Sequence, residues 1–454
     1  MFRHVLCVYP YRRELRNVGF FPPLGLEHIA AVIEPHARSL DVVDMRKEAG
    51  RTKDFLRPET DMVCFSVNWG SDAEFVHEEI LSVGSKPLVV VGGRHATEDP
   101  QAWLSQCPNV TAVARGDGEE IMDEVCRDLP IETIAGLSFR RDGRLFHNPN
   151  RKPGPVRDDL YPNRSLRRYD YEVSFEGMNM GVTIDTLSSS RGCPFNCKFC
   201  SFNRNPWGQK RSWSARSPES VVNELVQIKA PLVGFTDDLF TLDPDRVERI
   251  CDLILARRIR KKFLVNARAE IARNTRLLRK MERAGFVLLM VGIESAVDET
   301  LRSMGKGFDT ARLREYFKVL RKSSMFLQGY FILGNIGETV EQMLRISDFA
   351  HELGLDTIAL SALRVSPHSG LNELVENTPG YHVAPNGKVY SDYCSSKEIR
   401  KLRRRIIRRF YSASQILRLT RKAVRNGALR FLPGIIVRLP RAVMVLVTHA
   451  HRHE

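Results

Sequence analysis

Ser190-Arg-Gly-Cys-Pro-Phe-Asn-Cys-Lys-Phe-Cys-Ser201 sets Cys193, Cys197 and Cys200 in the spacing C-x3-C-x2-C. Three thiolates on one short loop hold three corners of a cubane iron–sulfur cluster. A closed structural cluster needs a fourth cysteine nearby, and the next one, Cys251, falls inside a helical pattern. One iron is therefore left open for a small molecule. A zinc knuckle or a chance cluster of thiols is the alternative, but zinc sites usually bring a second paired half and four ligands, and the sequence offers no such half.

Outward from this loop, apolar runs alternate with helical patterns. Strand candidates lie at Val182–Leu187, Leu232–Thr236, Phe263–Ala267, Val287–Glu294, Leu327–Leu333 and Asp356–Leu363, separated by helical stretches such as Ser217–Lys229, Arg246–Arg257 and Glu338–Leu353. Six such units fit a partial (βα)6 TIM-like barrel better than a closed eightfold one. Upstream, residues 1–150 show the same alternation, with strands at His4–Tyr9, Leu40–Val43, Met62–Ser66, Pro87–Gly93 and Thr111–Ala114, and helices near Leu24–Ile33 and Ala73–Val83. That pattern predicts an α/β, doubly wound, Rossmann-like domain. A hairpin turning at Asp142-Gly143 closes it. The expected organisation is a first domain at 1–150, a Pro-, Arg-, Asp- and Tyr-rich linker at 151–178, the barrel at 179–380, and a basic helical C-terminal region at 381–454.

The chain has 454 residues, 43% hydrophobic and 27% charged, which is the balance of a folded globular protein and excludes a mainly disordered one. Its net charge of +15 is not spread evenly: Ser395–Glu454 holds 16 Lys/Arg against two acids, a net of +14, leaving about +1 for the rest. Six of the nine cysteines stand singly in apolar or amphipathic surroundings, as buried thiols do. No signal-peptide core or run of about 18 uninterrupted apolar residues is present, so a reducing cytoplasm is the expected compartment.

A βα barrel builds its site at the carboxyl ends of its strands, and polar residues recur there. Asp237 and Asp238 follow the second strand, Arg268 the third, Glu294 ends the fourth, Gly334 and Glu338 follow the fifth, and Ser366-Pro-His368 follows the sixth. Each taken alone has a plain structural alternative: Asp238 as a turn cap, Glu338 as a helix cap, Arg268 in a surface ion pair.

With the cysteine spacing after the first barrel strand, residues 181–370 resemble a radical S-adenosylmethionine (SAM) enzyme. The resemblance implies a 4Fe-4S cluster on Cys193, Cys197 and Cys200. Its open iron would bind the amino and carboxylate groups of SAM, which on reduction gives a 5′-deoxyadenosyl radical. It further implies that Phe199 stands against adenine, that Gly329 and Gly334 within Gly329-Tyr-Phe-Ile-Leu-Gly-Asn-Ile-Gly-Glu338 let the flat ring approach backbone, and that Val291-Gly-Ile-Glu-Ser295 contacts the ribose or methionyl end. Arg268 suits the SAM carboxylate, since guanidinium pairs with it as a planar fork. Simple loop packing is the alternative for Phe199.

The first domain is similar to the cobalamin-binding domain of the class that includes corrinoid-dependent radical methylases and the anaerobic magnesium-protoporphyrin ester cyclase. The similarity rests on Pro22-Pro-Leu-Gly-Leu26, Val90-Val-Gly-Gly-Arg-His-Ala-Thr97 and Arg115-Gly-Asp-Gly-Glu-Glu120. It implies cobalamin at the strand ends, with Ser66, Gly92 and Gly93 as contacts. Many such domains carry D-x-H-x-x-G after the first strand; here the loop reads Tyr9-Pro-Tyr-Arg-Arg-Glu-Leu-Arg16, so cobalamin would bind without that histidine. His95 is the nearest substitute in type, but a packing role suits it better. The reaction implied is methyl transfer to an unactivated carbon of a lipid-like or natural-product substrate. Radical cyclisation, oxidation or rearrangement without methyl transfer is the alternative, and the residues performing the substrate chemistry are not identifiable from the sequence.

Finally, Leu402, Ile406, Phe410, Ala413 and Leu417 recur at helical spacing between Lys397 and Lys422, with arginines over the remaining surface. This predicts a basic amphipathic helix, followed by an apolar stretch at 429–447 broken by Arg438, Pro440 and Arg441. Packing of the helix on the barrel and peripheral contact with an anionic membrane are the two readings. The expected partners are a small, hydrophobic substrate and a one-electron donor such as flavodoxin or ferredoxin. An RNA-modifying radical SAM enzyme is the further, less favoured reading, and nucleic acid is ranked below the other partners, because the tail offers few aromatics for base stacking.

Overall fold

The computed structural model describes residues 1–12, 20–70, 73–175, 178–200, 204, 209–365, 369–384 and 386–426. The Ser366-Pro-His368 motif and the 429–447 stretch lie outside the described residues. The chain divides into two compact units, one running to Tyr171 and the other holding nearly all that follows.

The first unit runs β1 (His4–Tyr9), α1 (Leu24–Ile33), β2 (Leu40–Asp44), β3 (Thr60–Ser66), α2 (Ala73–Leu81), β4 (Leu88–Gly92), α3 (Arg94–Glu98), α4 (Pro100–Gln106), β5 (Ala112–Ala114), α5 (Gly118–Cys126), β6 (Leu137–Arg141) and β7 (Arg144–His147). The sheet order is β2-β1-β3-β4-β5-β6-β7, parallel through β5 and antiparallel beyond it. Near-continuous valine runs such as Leu88–Gly92 are covered on both faces, as parallel strands require. At the hairpin, Asp142 and Gly143 both take positive φ, the two-residue turn expected from that dipeptide. Residues 151–171 are ordered against this unit: Arg167 forks onto buried Glu27 at 2.6 and 2.7 Å, and the Tyr171 hydroxyl donates to Asp44 at 2.9 Å.

The second unit begins with β8 (Glu172–Phe175) and β9 (Met178–Leu187), then β10 (Ser190–Arg191) and β11 (Ser214–Ala215). It continues through α6 (Pro218–Gln227), β12 (Leu232–Phe235), α7 (Pro244–Ala256), β13 (Lys262–Ala267), α8 (Thr275–Ala284), β14 (Phe286–Glu294), α9 (Asp298–Ser303), α10 (Thr310–Leu320), β15 (Phe326–Leu333), α11 (Val340–Leu353) and β16 (Thr357–Ala362). Last come α12 (Gly370–Glu376), β17 (Tyr381–Val383), β18 (Val389–Ser391), α13 (Ser396–Phe410) and α14 (Ala413–Arg425). Six strands, β9 and β12 to β16, run parallel in sequence order, with β8 antiparallel at one edge. This is a half-barrel.

Local chemistry marks the boundaries. Ser217, Asp243, Asn274, Asp309 and Thr339 each cap a helix by accepting from a backbone N–H, and Gly285 and Gly354 end helices in the left-handed conformation. Burial alternates along the strands: Phe263, Val265 and Ala267 enter the core beneath the helices, whereas Leu264 and Asn266 fall on the opposite, part-exposed face. The basic helix read across Lys397–Lys422 is two helices. Ser412 accepts from Gln415 N–H at 3.3 Å and starts a new one, so the periodicity does not carry through the break.

Candidate functional site

The cysteine loop leaves β9 and is held from below by buried polar side chains. Fully buried Asp237, just past β12, accepts from Ser189 N (2.7 Å), Ser189 Oγ (2.6 Å) and Ser190 Oγ (2.6 Å). Its neighbour Asp238 accepts from Gly192 N at 2.8 Å. Burial pushes both carboxyls up, against those same donors. Arg246 donates to Ser189 O and Arg216 O at 2.8 Å, and Arg216, paired with buried Glu224, donates to Ser188 O at 3.2 Å. The β10–β11 ladder clamps the base of the loop. Gly192 needs its φ of +85°, and a Cβ there would lie 2.6 Å from Ser212 O. Asp237 and Asp238 are thus loop anchors, a role that spacing alone did not separate from ligand contact.

Cys197 is buried, Cys193 and Cys200 are partly exposed, and Cys200 N–H donates to Cys197 O at 3.1 Å. Burial pushes the Cys193 thiol up. Among the described residues, no three His, Cys, Asp or Glu side chains gather as around one metal ion. A cubane, which takes one thiolate per iron, does not require that. Cys251 is buried in α7, with its thiol pushed up to about 12 by burial, and is no fourth ligand.

Above the loop, a segment that the sequence reading passed over comes into contact. Met304 O accepts from Lys198 N at 3.0 Å, and Lys306 Nζ meets Glu294 Oε1 at 2.8 Å in a pair less than a tenth exposed. Lys306 also stands 5.7 Å over the Phe199 ring. Glu294 adopts φ +75°, rare for a residue with a Cβ, and a Cβ on Gly292 would lie 2.4 Å from its carboxylate and 2.8 Å from Lys306 Nζ. The only sequence signal was Gly305-Lys-Gly307. Phe199 packs against the small apolar cluster containing Met304 and Ile332.

Two expectations change. The Arg268 fork is already taken by Glu270 (2.8 to 3.2 Å), donates to Lys306 O at 2.9 Å and stacks 3.8 Å over Phe195. It braces the cysteine loop rather than offering an open carboxylate site. Gly329 does not open onto the strand ends: a Cβ there would lie 2.5 Å from Leu355 and 2.9 Å from Ile293, both in the core, so its smallness serves strand–helix packing. Gly334, just past β15, takes φ +76°, and a Cβ there would likewise meet the core, 2.9 Å from Ile399 of α13. Nearby, buried Glu338 accepts from Ser295 Oγ (3.0 Å) and Asn335 Nδ2 (3.0 Å), and burial pushes it up to about 7. The part-exposed strand face also carries Met290 and Tyr330, whose hydroxyl lies 3.3 Å from Met290 Sδ.

In the first unit, the order 2-1-3-4-5 reverses between β1 and β3, where open α/β sheets bind ligands. Tyr11, after β1, orients the loop after β3: its hydroxyl accepts from Asn68 N (2.8 Å) and Trp69 N (2.7 Å) and donates to Trp69 O (3.1 Å). Ser66 and Gly92 are register partners at the ends of β3 and β4. Gly93, at φ +102°, would place a Cβ 2.6 Å from Val67 O. His95 lies against Gly70 and edge-on to Trp103, in a packing position.

The chain matches the family model of the Radical SAM superfamily over residues 187–350 and that of the B12 binding domain over residues 17–126. It is 27% identical over 436 residues to an uncharacterized methyltransferase of Pyrococcus horikoshii, covering 92% of this chain and 89% of that one. It is also 27% identical over 290 residues to the anaerobic magnesium-protoporphyrin IX monomethyl ester cyclase of Cereibacter sphaeroides, covering 59% and 46%. In fold it resembles the radical SAM methyltransferase TsrM of Kitasatospora setae, solved with cobalamin and a [4Fe-4S] cluster, at TM-score 0.67 and 17% identity over 84% of this chain and 77% of that one. With the cysteine loop at the head of a half-barrel and a B12 domain before it in the sequence, the chain carries a radical SAM domain and a B12 binding domain.

Proposed function

We propose that the protein methylates an unactivated carbon of a small hydrophobic substrate, lipid-like or a natural product, using a 4Fe-4S cluster, SAM and cobalamin. The observation that carries this is the tethered three-cysteine loop in the same chain as a B12 domain whose β4 leads into the positive-φ turn at Gly93. When bound, the cluster and SAM supply a hydrogen-abstracting 5′-deoxyadenosyl radical, and cobalamin supplies the methyl group.

The chain's own residues position these groups. Cys193, Cys197 and Cys200 would hold the cluster, and Asp237, Asp238, Arg216 and Arg246 keep their loop in place. Lys306 and Glu294, paired beside Phe199, would meet the polar groups of SAM at its ribose or methionyl end. Phe199 and the Gly334 turn would border adenine, and Glu338 holds Ser295 and Asn335 in register. Ser66, Gly92 and Gly93 would border cobalamin without a histidine to cobalt. Leu264, Met290 and Tyr330 make the open strand face apolar enough for a hydrophobic substrate. A one-electron donor of the flavodoxin or ferredoxin kind, a cytoplasmic setting and contact of the basic C-terminal region with a membrane surface belong to the same proposal. No helix among the described residues is long and apolar enough to cross a membrane.

Anaerobic reconstitution with iron, sulfide and hydroxocobalamin, followed by desalting and analysis, tests the reading. Near-stoichiometric cluster and corrinoid with SAM cleavage on reduction are expected. A cluster without corrinoid would move the reaction to cyclisation or rearrangement, and absence of both would overturn the proposal.

A further inference from the structure

Helix α14 docks largely through polar side chains, with Ile416, Leu419 and Ala423 half-buried, and leaves two aliphatic side chains outward. Gln415, Arg418, Lys422 and Asn426, spaced three, four and four residues apart, form its inward face. Gln415 Nε2 donates to Leu355 O (3.0 Å) and Asp356 O (2.9 Å), and Lys422 Nζ donates to Met325 O (2.7 Å) and pairs with buried Asp356 (2.6 Å). Arg418 donates to Leu355 O and Asn426 to Ser324 O. The polar side is therefore consumed by carbonyls at the starts of β15 and β16. The outward side holds Leu417 and Val424, two turns apart and 50% and 52% exposed, with exposed Arg421 and Arg425 beside them. A helix docked on a water-soluble surface normally buries its apolar stripe and exposes its polar one.

Directly before it, α13 does dock in the ordinary way. Ile399, Leu402, Ile406 and Phe410 are in the core, and Lys401, Arg404, Arg405, Arg408 and Arg409 line one open groove, where Arg409 reaches Asp348 at 2.8 Å. The apolar face that the sequence offered to a membrane at Leu402–Phe410 is thus used inside the protein, and the outward aliphatic residues belong to α14.

We propose that the outward face of α14, with the cations of α13, is the surface by which this protein adheres to an anionic lipid bilayer. An RNA or an acidic protein would satisfy the arginines but leave Leu417 and Val424 in water. A bilayer interface takes both, with aliphatic side chains at the headgroup boundary and arginines on anionic headgroups. The chain beyond α14 continues the same mixture, apolar and broken by Arg430, Arg438 and Arg441. The inference deepens the membrane part of the proposed function, and it is read without turnover, so its failure leaves the methylase reading standing.

The test is flotation of the full-length protein with vesicles of phosphatidylcholine alone and with about one third phosphatidylglycerol. Binding to the anionic vesicles only, released by salt, is expected. Leu417→Gln/Val424→Gln and, separately, Arg421→Gln/Arg425→Gln should each weaken partitioning by about tenfold without lowering the melting temperature. Wild-type protein that does not float, or variants that float equally, would overturn the proposal. So would a melting temperature that falls in Leu417→Gln/Val424→Gln without lipid, which would place that face under the chain's own 427–454 segment. RNA binding that survives the aliphatic pair and displaces vesicles would overturn it as well.

Discussion

Replacing Glu338 by glutamine should make the stability of the protein less dependent on pH, because this carboxyl is buried among donors too weak to offset its desolvation. Burial raises it from an ordinary 4.5 to about 7 despite Ser295 and Asn335. A group raised in the folded state contributes stability that is fully present below its unfolded value and is lost as pH rises through its folded value. At about 1.36 kcal/mol per pH unit, the gap corresponds to about 3.4 kcal/mol in full. About 2 kcal/mol of it is lost between roughly pH 5.5 and pH 8. Glutamine keeps one acceptor oxygen for Ser295 but presents an amide toward Asn335, a pH-independent loss of about 1 kcal/mol. Urea denaturation of the cofactor-free protein across that range should therefore show wild type the more stable at low pH and the variant gaining about 2 kcal/mol on it by pH 8. Parallel stability curves would refute the reasoning, since they would mean that Glu338 titrates alike in the folded and unfolded chains.

Three further outcomes are expected. Alanine at Cys193, Cys197 or Cys200 should each reduce reconstituted iron to a small fraction of wild type and abolish 5′-deoxyadenosine formation; an intact cluster spectrum in any of them would remove that cysteine from the ligand set. Lys306→Met leaves Glu294 buried without its cation and should destabilise the protein by roughly 3–5 kcal/mol, with much of that recovered in Lys306→Met/Glu294→Leu. Equal unfolding midpoints for wild type and the single variant would show the pair to be solvated. Gly93→Ala, forced to φ +102° with its Cβ against Val67 O, should lose roughly 1–3 kcal/mol and retain less corrinoid while iron content stays unchanged. Loss of iron together with corrinoid in that variant would count against a site confined to the first unit.

Much of the architecture was legible in the chain because it is written in local periodicity. Besides the valine-rich run at Leu88–Gly92, the clearest cases are Phe263–Ala267 and Phe326–Leu333, where burial alternates along much of the strand. The Cys193–Cys200 loop was equally plain, since its ligands are close in sequence and their spacing is itself the chemistry. The β10–β11 clamp was not, because two-residue strands have no period to detect. The continuous helix read through Tyr411 failed because a capping serine interrupts the helix without changing the spacing of apolar residues.

By itself, then, the sequence determined what repeats or binds locally: two α/β units, a three-thiol loop, glycine turns after strands and a basic C-terminal region. Only the tertiary structure decided direction and partnership. It paired Lys306 with Glu294, occupied Arg268 with Glu270, turned Gly329 into the core and mounted α14 with its polar side inward. The physical reason is that a side chain's type and spacing are properties of the chain. Which groups it meets across a fold is set by strand register and helix docking, and those are fixed only when distant segments are packed together.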